Sequence, residues 1–558
     1  MIVACANLRY TPREESVAER QAGIQVGEEA GAEQAIAAVP TAITAFVGRC
    51  LRGPLDQPVS ISSFADFQRV FGGLWQPSML SYAVEQYFEN GGRAAVVVRV
   101  ANGARCCSLA LPAGPDTLVL RARAPGTREF LRAAVDYDGI GDNEDDRFNL
   151  VLQRVRAPGS EHIEDQEIHR RLSIRPAAAR FVVAVLADSQ LARVAGPVPS
   201  CRPDPTPPSD PRGLAGYVAS GPDGDDGGPL SDYDLIGSAT RATGLFALAG
   251  VENFNLLCIP PPARDRDLGP GVLLVANRYC RERRAMLLVD PPQGWDSAAQ
   301  ALAAMRDWSL PSDTASMFFP RLLAYDKLRG RFEAFAPSAA VAGMLSRVAG
   351  HTPVWAATLG EEAILRPGLR PLCPVDDDHR LRLAAAGVNI VPTTRRPDRG
   401  SPETCTLAGP GAAAADWRSL GRRRLAQMIV ASIERGTRWM LFEPSEPPTW
   451  QRGAAQVRAF FAALEEQGAF AGHEPGDRWY VVCDERVNRG PYRERGMVNL
   501  LFGFAAARPG EFHSWIVSHR AGGSRVQAVS PNLSGLPRTG VTQLLSALDL
   551  PVAGVIQP

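Results

Sequence analysis

The sequence predicts a multidomain α/β fold, and three observations carry that prediction. Strand-like and helix-like segments alternate over residues 23–110 and again from 230 onward. The stretch between them, 111–229, is β-rich and ends in a Pro/Gly/Asp-rich run. With 558 residues the chain is also too long for one core, since single cores rarely grow past roughly 250–300 residues.

Residues 1–22 are polar, lack periodicity and read as an N-terminal arm. "TAITAFVGRC" is a strand. "SFADFQRVFGG" is a short helix capped by Ser63 and stopped at Gly72–Gly73. "SMLSYAVEQYFENGG" places Leu80, Val84 and Tyr87–Phe88 at helical spacing and ends at Asn90–Gly91. "RAAVVVRV" is a buried strand, so 23–110 form the first part of an α/β core. In 111–229, "LVLRARA", "EFLRAAVDY", "RFNLVLQRV" and "ARFVVAVLA" read as strands of an inserted domain. The segment from "CRPDPTPPSDPRG" to "GPDGDDGGPLSD" reads as a linker. A central domain, 230–400, follows with strands "FNLLCIP" and "RAMLLVDPP" and helix "SAAQALAAMRDWS". The unit 401–520 holds helices "WRSLGRRRLAQMIVASIERG" and "TWQRGAAQVRAFFAALEEQGAF", with strands "TRWMLFEP", "RWYVVCDE", "MVNLLFGFAAA" and "FHSWIVSH". Residues 521–558 form a C-terminal extension.

Composition excludes several functions. Basic and acidic residues number 60 each, which removes any global pull toward nucleic acid or anionic lipid. No apolar run reaches the ~18–20 residues that span a bilayer. The first residues lack a basic n-region and a long apolar h-region, so no secretory signal is expected. The 10 cysteines contain no C-x-x-C and read as free thiols. Lys327 is the single lysine, which rules out a P-loop or an S-x-x-K site.

No catalytic or metal set emerges. Asp136, Asp138, Asp142 and Asp146 lie in "DYDGIGDNEDD", which lacks the EF-hand register and reads as a solvated turn. "DTASMFFP" is similar to the serine segment of subtilases. The histidines before Ser316, His162 and His169, fall in the β-rich insertion, so Ser316 reads as structural. His513 and His519 share one face of an expected strand about 20 Å apart, too far to hold one metal. No cofactor is expected.

Longer strings carry a family resemblance. They are "GIQVGEEAGAEQAIAAVPTAITAFVGRCLRGPLDQPVSISSFADFQRVFGG" with "LSYAVEQYFENGGRAAVVVRV", then "DLIGSATRATGLFALAGVENFNLLCIP", "RRAMLLVDPPQGW", "FFPRLLAYD" and "APSAAVAGMLSRV", and finally "LRLAAAGVNIV" with "RRRLAQMIVASIERGTRWMLFEPSEPPTWQRGAAQVRAFFAALEEQGAFAG". In these the chain resembles the contractile tail sheath proteins of bacteriophages and phage-tail-like injection systems. "SPETCTLAGPGAAAADW" and "VWAATLGEE" depart from the family pattern.

The resemblance implies a multidomain tail-sheath fold: a subtilisin-like α/β central domain, a β-rich inserted outer domain, and an α+β C-terminal domain with strand-exchanging arms. It implies a non-enzymatic structural subunit that stacks as hexameric rings into a helical polymer around an inner tube protein. Contraction would drive the tube through a target cell envelope. Baseplate and tail-terminator or cap proteins are the other implied partners, with no nucleic-acid binding and no membrane insertion. Assembly in the bacterial cytoplasm would place the subunit in a phage tail or an extracellular particle. A specialised sheath paralogue at the baseplate or cap end is the alternative within this class. A subtilisin-like hydrolase using Ser316 and a monomeric binding module stand outside it.

Two contact sites follow as expectations. Tyr10, Glu14 and Val17 of the N-terminal arm, with Phe512, Trp515, Ile516 and Val517 near the other end, are the inter-subunit strand arms. Phe512, Ser514 and Ile516 would share one face, with His513, Trp515 and Val517 on the other. A tube gripped and then released favours polar contacts. Arg422, Arg423 and Glu434, opposite the stripe Leu425, Met428, Ile429 and Ser432–Ile433, are the expected inner-tube contact.

Overall fold

The computed structural model describes residues 35–207, 216–356, 363–393, 403–409, 415–474, 476–488 and 496–529. Its central layer is a seven-stranded sheet. The strands are β1 (Thr44–Gly48), β2 (Pro58–Ile61), β3 (Ala95–Arg99), β11 (Leu256–Cys258), β12 (Met286–Val289), β13 (Ala315–Phe319) and β17 (Val388–Ile390). Their order is β17-β13-β12-β11-β1-β3-β2, and every pairing is parallel except β2 with β3. β1 and β3 are buried along their whole length, as expected for parallel strands covered on both faces.

Alternation assigns their side chains to two cores. Ala45, Val47, Val96, Val98, Leu287 and Met317 face α5 (Pro270–Arg283), α6 (Ala298–Met305) and α8 (Asp377–Ala385). Phe46, Val97, Cys258, Leu288 and Phe318 face α1 (Phe64–Phe71), α2 (Met79–Glu89) and α7 (Ser338–Val348). The caps form where the sequence places them: Ser63 Oγ accepts from Asp66 N at 3.1 Å, and Gly72 stops α1 in the left-handed region at φ 88°. The described cysteines are free, and most are buried.

The β-rich segment enters after β3 and leaves before α4 (Asp232–Ile236). One sheet is β4 (Ser108–Ala113), β5 (Asp116–Ala122) and β9 (Ala192–Val194). The other runs β10-β6-β7-β8, from β6 (Leu131–Asp136), β7 (Arg147–Val155), β8 (Ile163–Ser173) and β10 (Val218–Ala219). Both contribute to one core. Ion pairs Arg52–Glu164 and Arg154–Glu129 (3.9 Å) lie where this lobe meets the central layer.

Two expectations change here. "FVVAVLA" forms α3 (Val182–Ala187), not a strand, and buries Val182 and Leu186 one turn apart. The run after Cys201 is not wholly a linker, because Thr206 N donates to Val135 O (2.9 Å) and Arg202 stacks on Tyr137 (3.6 Å).

The hairpin of β14 (Leu322–Asp326) and β15 (Arg331–Phe335), with β16 (Arg370–Pro371), extends the central domain. Lys327 pairs with Glu85 (2.7 Å) and Glu89 (3.2 Å) of α2.

The last lobe packs α9 (Leu420–Gly436) and α10 (Pro447–Glu466) on a sheet of β18 (Trp479–Val482), β19 (Val498–Ala505), β20 (Phe512–Arg520) and β21 (Gly523–Val529). "RWML" is a 3-10 turn at Arg438–Leu441 continuing α9, not a strand. The extension expected from 521 begins inside this sheet, as β21.

Candidate subunit-contact site

Helix α9 begins at Ser419, whose Oγ accepts from Arg422 N at 3.4 Å. Its stripe, Leu425, Met428, Ile429 and Ile433, packs into the lobe core as the periodicity predicts. The opposite side is also covered. There Gln427 donates to Ala285 O (3.0 Å), while on the stripe face Val39 N donates to Ser432 Oγ (3.0 Å). The helix is therefore clasped between its own lobe, the central domain and the N-terminal segment around Val39.

That position corrects the expectation that Arg422, Arg423 and Glu434 all project freely. Arg423 pairs with Asp313 at 3.2 Å, stacks on Trp417 at 5.1 Å and is 15% exposed. Burial lowers its pKa, and Asp313 opposes the shift. Glu434 pairs with Arg284 of the central domain and is also 15% exposed. Arg422, 37% exposed with a loose 3.8 Å pair to Glu403, is the one of the three open to another molecule.

Strand β20 shows the two faces the alternation predicts. Phe512 and Ile516 pack with Tyr480, Val482 and Leu501, while Trp515 and Val517 pack into the core under α9. Within this chain β19 and β21 pair with it on both sides, so β20 itself has no free edge. The sheet's outer strands are β18 and β21. Tyr10, Glu14 and Val17 lie outside the described residues.

The two histidines pin β20 to opposite ends of α9. His519 is buried, with Nε2 2.8 Å from Thr437 Oγ1 and Nδ1 2.7 Å from Ser524 Oγ. Burial, aided by Arg438, pulls its pKa down to about 4. His513 stacks on Trp417 (4.1 Å) and lies 3.5 Å from Asp416. The spans agree, since six strand residues and a 17-residue helix each cover roughly 20–25 Å. Sequence reasoning missed Asp313, Arg284 and Thr437, and no local signal marks them.

The sheath tail protein from Listeria innocua has a TM-score of 0.58 at 13% identity, covering 87% of this chain and 97% of that one. An extracellular contractile injection system sheath complex (PVC) in the contracted state gives 0.50 at 16%, covering 89% and 97%. The anti-feeding prophage helical sheath, also contracted, gives 0.50 at 17%, covering 89% and 98%. The fold is that of a contractile tail sheath protein. No protein-family model and no curated protein matches the sequence.

Within this sheath fold Ser316 is buried on β13. Its Oγ donates to Cys405 O (2.8 Å) and accepts from Asn389 Nδ2 (3.0 Å), so it is engaged in structure rather than presented to a cleft. An apolar cavity of about 430 Å³, lined by Leu268, Leu273, Leu274, Trp308 and Leu310, lies by the ends of β11 and β12. Asp290 on its wall accepts from Ser338 N and Oγ, both at 2.9 Å. Burial raises its pKa to about 6. Among the described residues, no group of three or more His, Cys, Asp or Glu is placed to hold a metal.

Proposed function

We propose that this chain is a structural sheath subunit, polymerising as stacked hexameric rings around an inner tube and contracting to drive that tube through a target envelope. The observation carrying the reading is the end-to-end fold match, 87–89% of this chain against 97–98% of three sheath proteins, two of them contracted assemblies. A further strand from a neighbouring copy would add at the outer edge of β21 or β18, where main-chain groups face outward. Such pairing survives rotation of the bodies it links. Differences of ~1–2 kcal/mol per subunit between two states, a typical coupling size, sum to a large free energy over a long tube. Assembly in a bacterial cytoplasm, in company with tube, baseplate and cap proteins, belongs to the same proposal.

Electron microscopy of the full chain with its tube protein is expected to show hollow helical cylinders. A version lacking residues 1–22 is expected to stay folded by circular dichroism and to form no long cylinders. A full chain that remains a monomer on size exclusion and forms no cylinders overturns the reading.

The tube contact is proposed for Arg422, the most exposed member of its cluster. Arg422→Glu is expected to weaken co-assembly with the tube about 2–10-fold, more at low salt than at high. Arg423→Glu is a poor probe, because it sets a carboxylate against Asp313 and unsettles the subunit itself. Equal co-assembly of Arg422→Glu and wild type at both ionic strengths removes Arg422 from the contact.

A further inference from the structure

We propose that a single small inorganic anion, of chloride size, binds between the N-terminal segment, the central domain and α9. A cavity of about 30 Å³ at this junction is lined by Val39 and Thr41, by Asn255 and Arg284, and by Arg424 and Gln427 of α9. Arg424 is 4% exposed. Its Nη2 donates to Thr41 O at 2.9 Å, but among the described residues its buried Nη1 has no hydrogen-bond partner.

The charges around the cavity do not balance locally. Among the described residues no carboxylate forms an ion pair with Arg424. Burial pulls its pKa down to about 10 with no acidic group opposing the shift. Arg283, also in the wall, donates to the carbonyls of Ala249 (3.2 Å) and Val251 rather than to an acid. Glu252 in the wall is engaged with Arg435 (3.1 Å), and Arg284 with Glu434. A buried cation without a counter-charge is strongly destabilising. A water could accept the Nη1 hydrogen bond but would leave the charge uncompensated. The cavity exceeds the ~10–15 Å³ needed for one water and suits a single ion. Because the walls come from three parts of the chain, an occupant ties the N-terminal segment to the seam under α9. The inference does not rest on the proposed sheath function.

The test is thermal unfolding of the full chain while sodium gluconate is exchanged for sodium chloride at constant ionic strength. Chloride is expected to raise the midpoint by about 1–3 °C by ~200 mM, and Arg424→Gln is expected to lose that chloride-specific shift. Crystals grown in bromide are expected to show an anomalous peak in contact with Arg424 Nη1, a readout that stands even if the variant does not fold. Equal midpoints in the two salts with no bromide peak assign the cavity to water and overturn the proposal. A chloride shift kept by Arg424→Gln overturns it too, by placing the ion elsewhere. So does a chloride-insensitive shift that grows with protein concentration, which would mean a carboxylate from a second copy.

Discussion

Gly343→Val is expected to cost about 3 kcal/mol or more, and to lower the denaturation midpoint of the central domain accordingly. A Cβ at this position would sit 2.2 Å from Tyr87 O and 3.0 Å from Asn90 Cβ. Gly343 is where α7 crosses α2, and the obstructing atom is a backbone oxygen that no rotamer change can move. Opening the crossing would expose a large buried cluster. Tyr87 is fully buried there, donates to Ala94 O at 2.7 Å and meets Phe46 edge-on at 5.4 Å. Gly271→Ala is the control, since its Cβ meets nothing within 4 Å in the first turn of α5. That change is expected to be neutral or stabilising by up to ~1 kcal/mol. Guanidinium titration of the three proteins measures both effects, and a wild-type midpoint for Gly343→Val would contradict so close a helix crossing.

Lowering the pH from 7 to 5 is expected to remove about 2 kcal/mol of stability from the C-terminal lobe through His519 alone. Its pKa is about 4 in the folded chain, against an ordinary value of 6.5. Between those values the unfolded chain binds the extra proton, so stability falls as pH falls. Above 6.5 the group is neutral in both states and contributes no slope. Protonation would leave a cation facing two hydroxyls, with Arg438 as the nearby charge. His513 acts in the same direction, burial lowering its pKa against the pull of Asp416. His519→Gln retains a donor and an acceptor for Thr437 and Ser524 but cannot titrate. Urea midpoints at pH 7 and pH 5 should therefore differ less in this variant than in wild type. An identical pH response in the two would exclude His519 as the sensor.

Much of the fold was legible where local chemistry and packing agree. Ser63 caps α1, as its place before the helical segment predicts. The runs "AFVG" and "VVVR" are buried on both faces, as parallel strands require. Short β-branched runs were not legible. "FVVAVLA" satisfies strand propensity, yet Val182 and Leu186 share one helical face, and only the core they enter distinguishes the two. "RWML", which has no β-branched residue, misled for another reason: Thr437, whose Oγ1 donates to Ile433 O (2.6 Å), carries α9 onward into a 3-10 turn.

The candidate site divides along the same line. By itself the sequence determined that α9 is a helix with one apolar stripe, that β20 alternates, and that His513 and His519 share a face, because those properties repeat with the backbone's own period. Which charges on α9 are free was decided only by tertiary structure. The acid that holds Arg423 lies on the approach to β13, and the arginine that holds Glu434 lies 150 residues away at the end of α5. A helix's period states which side chains point together, but not what the rest of the chain brings against them. The buried Nη1 of Arg424, unpartnered among the described residues, has the same origin, since three segments distant in sequence had to close around it.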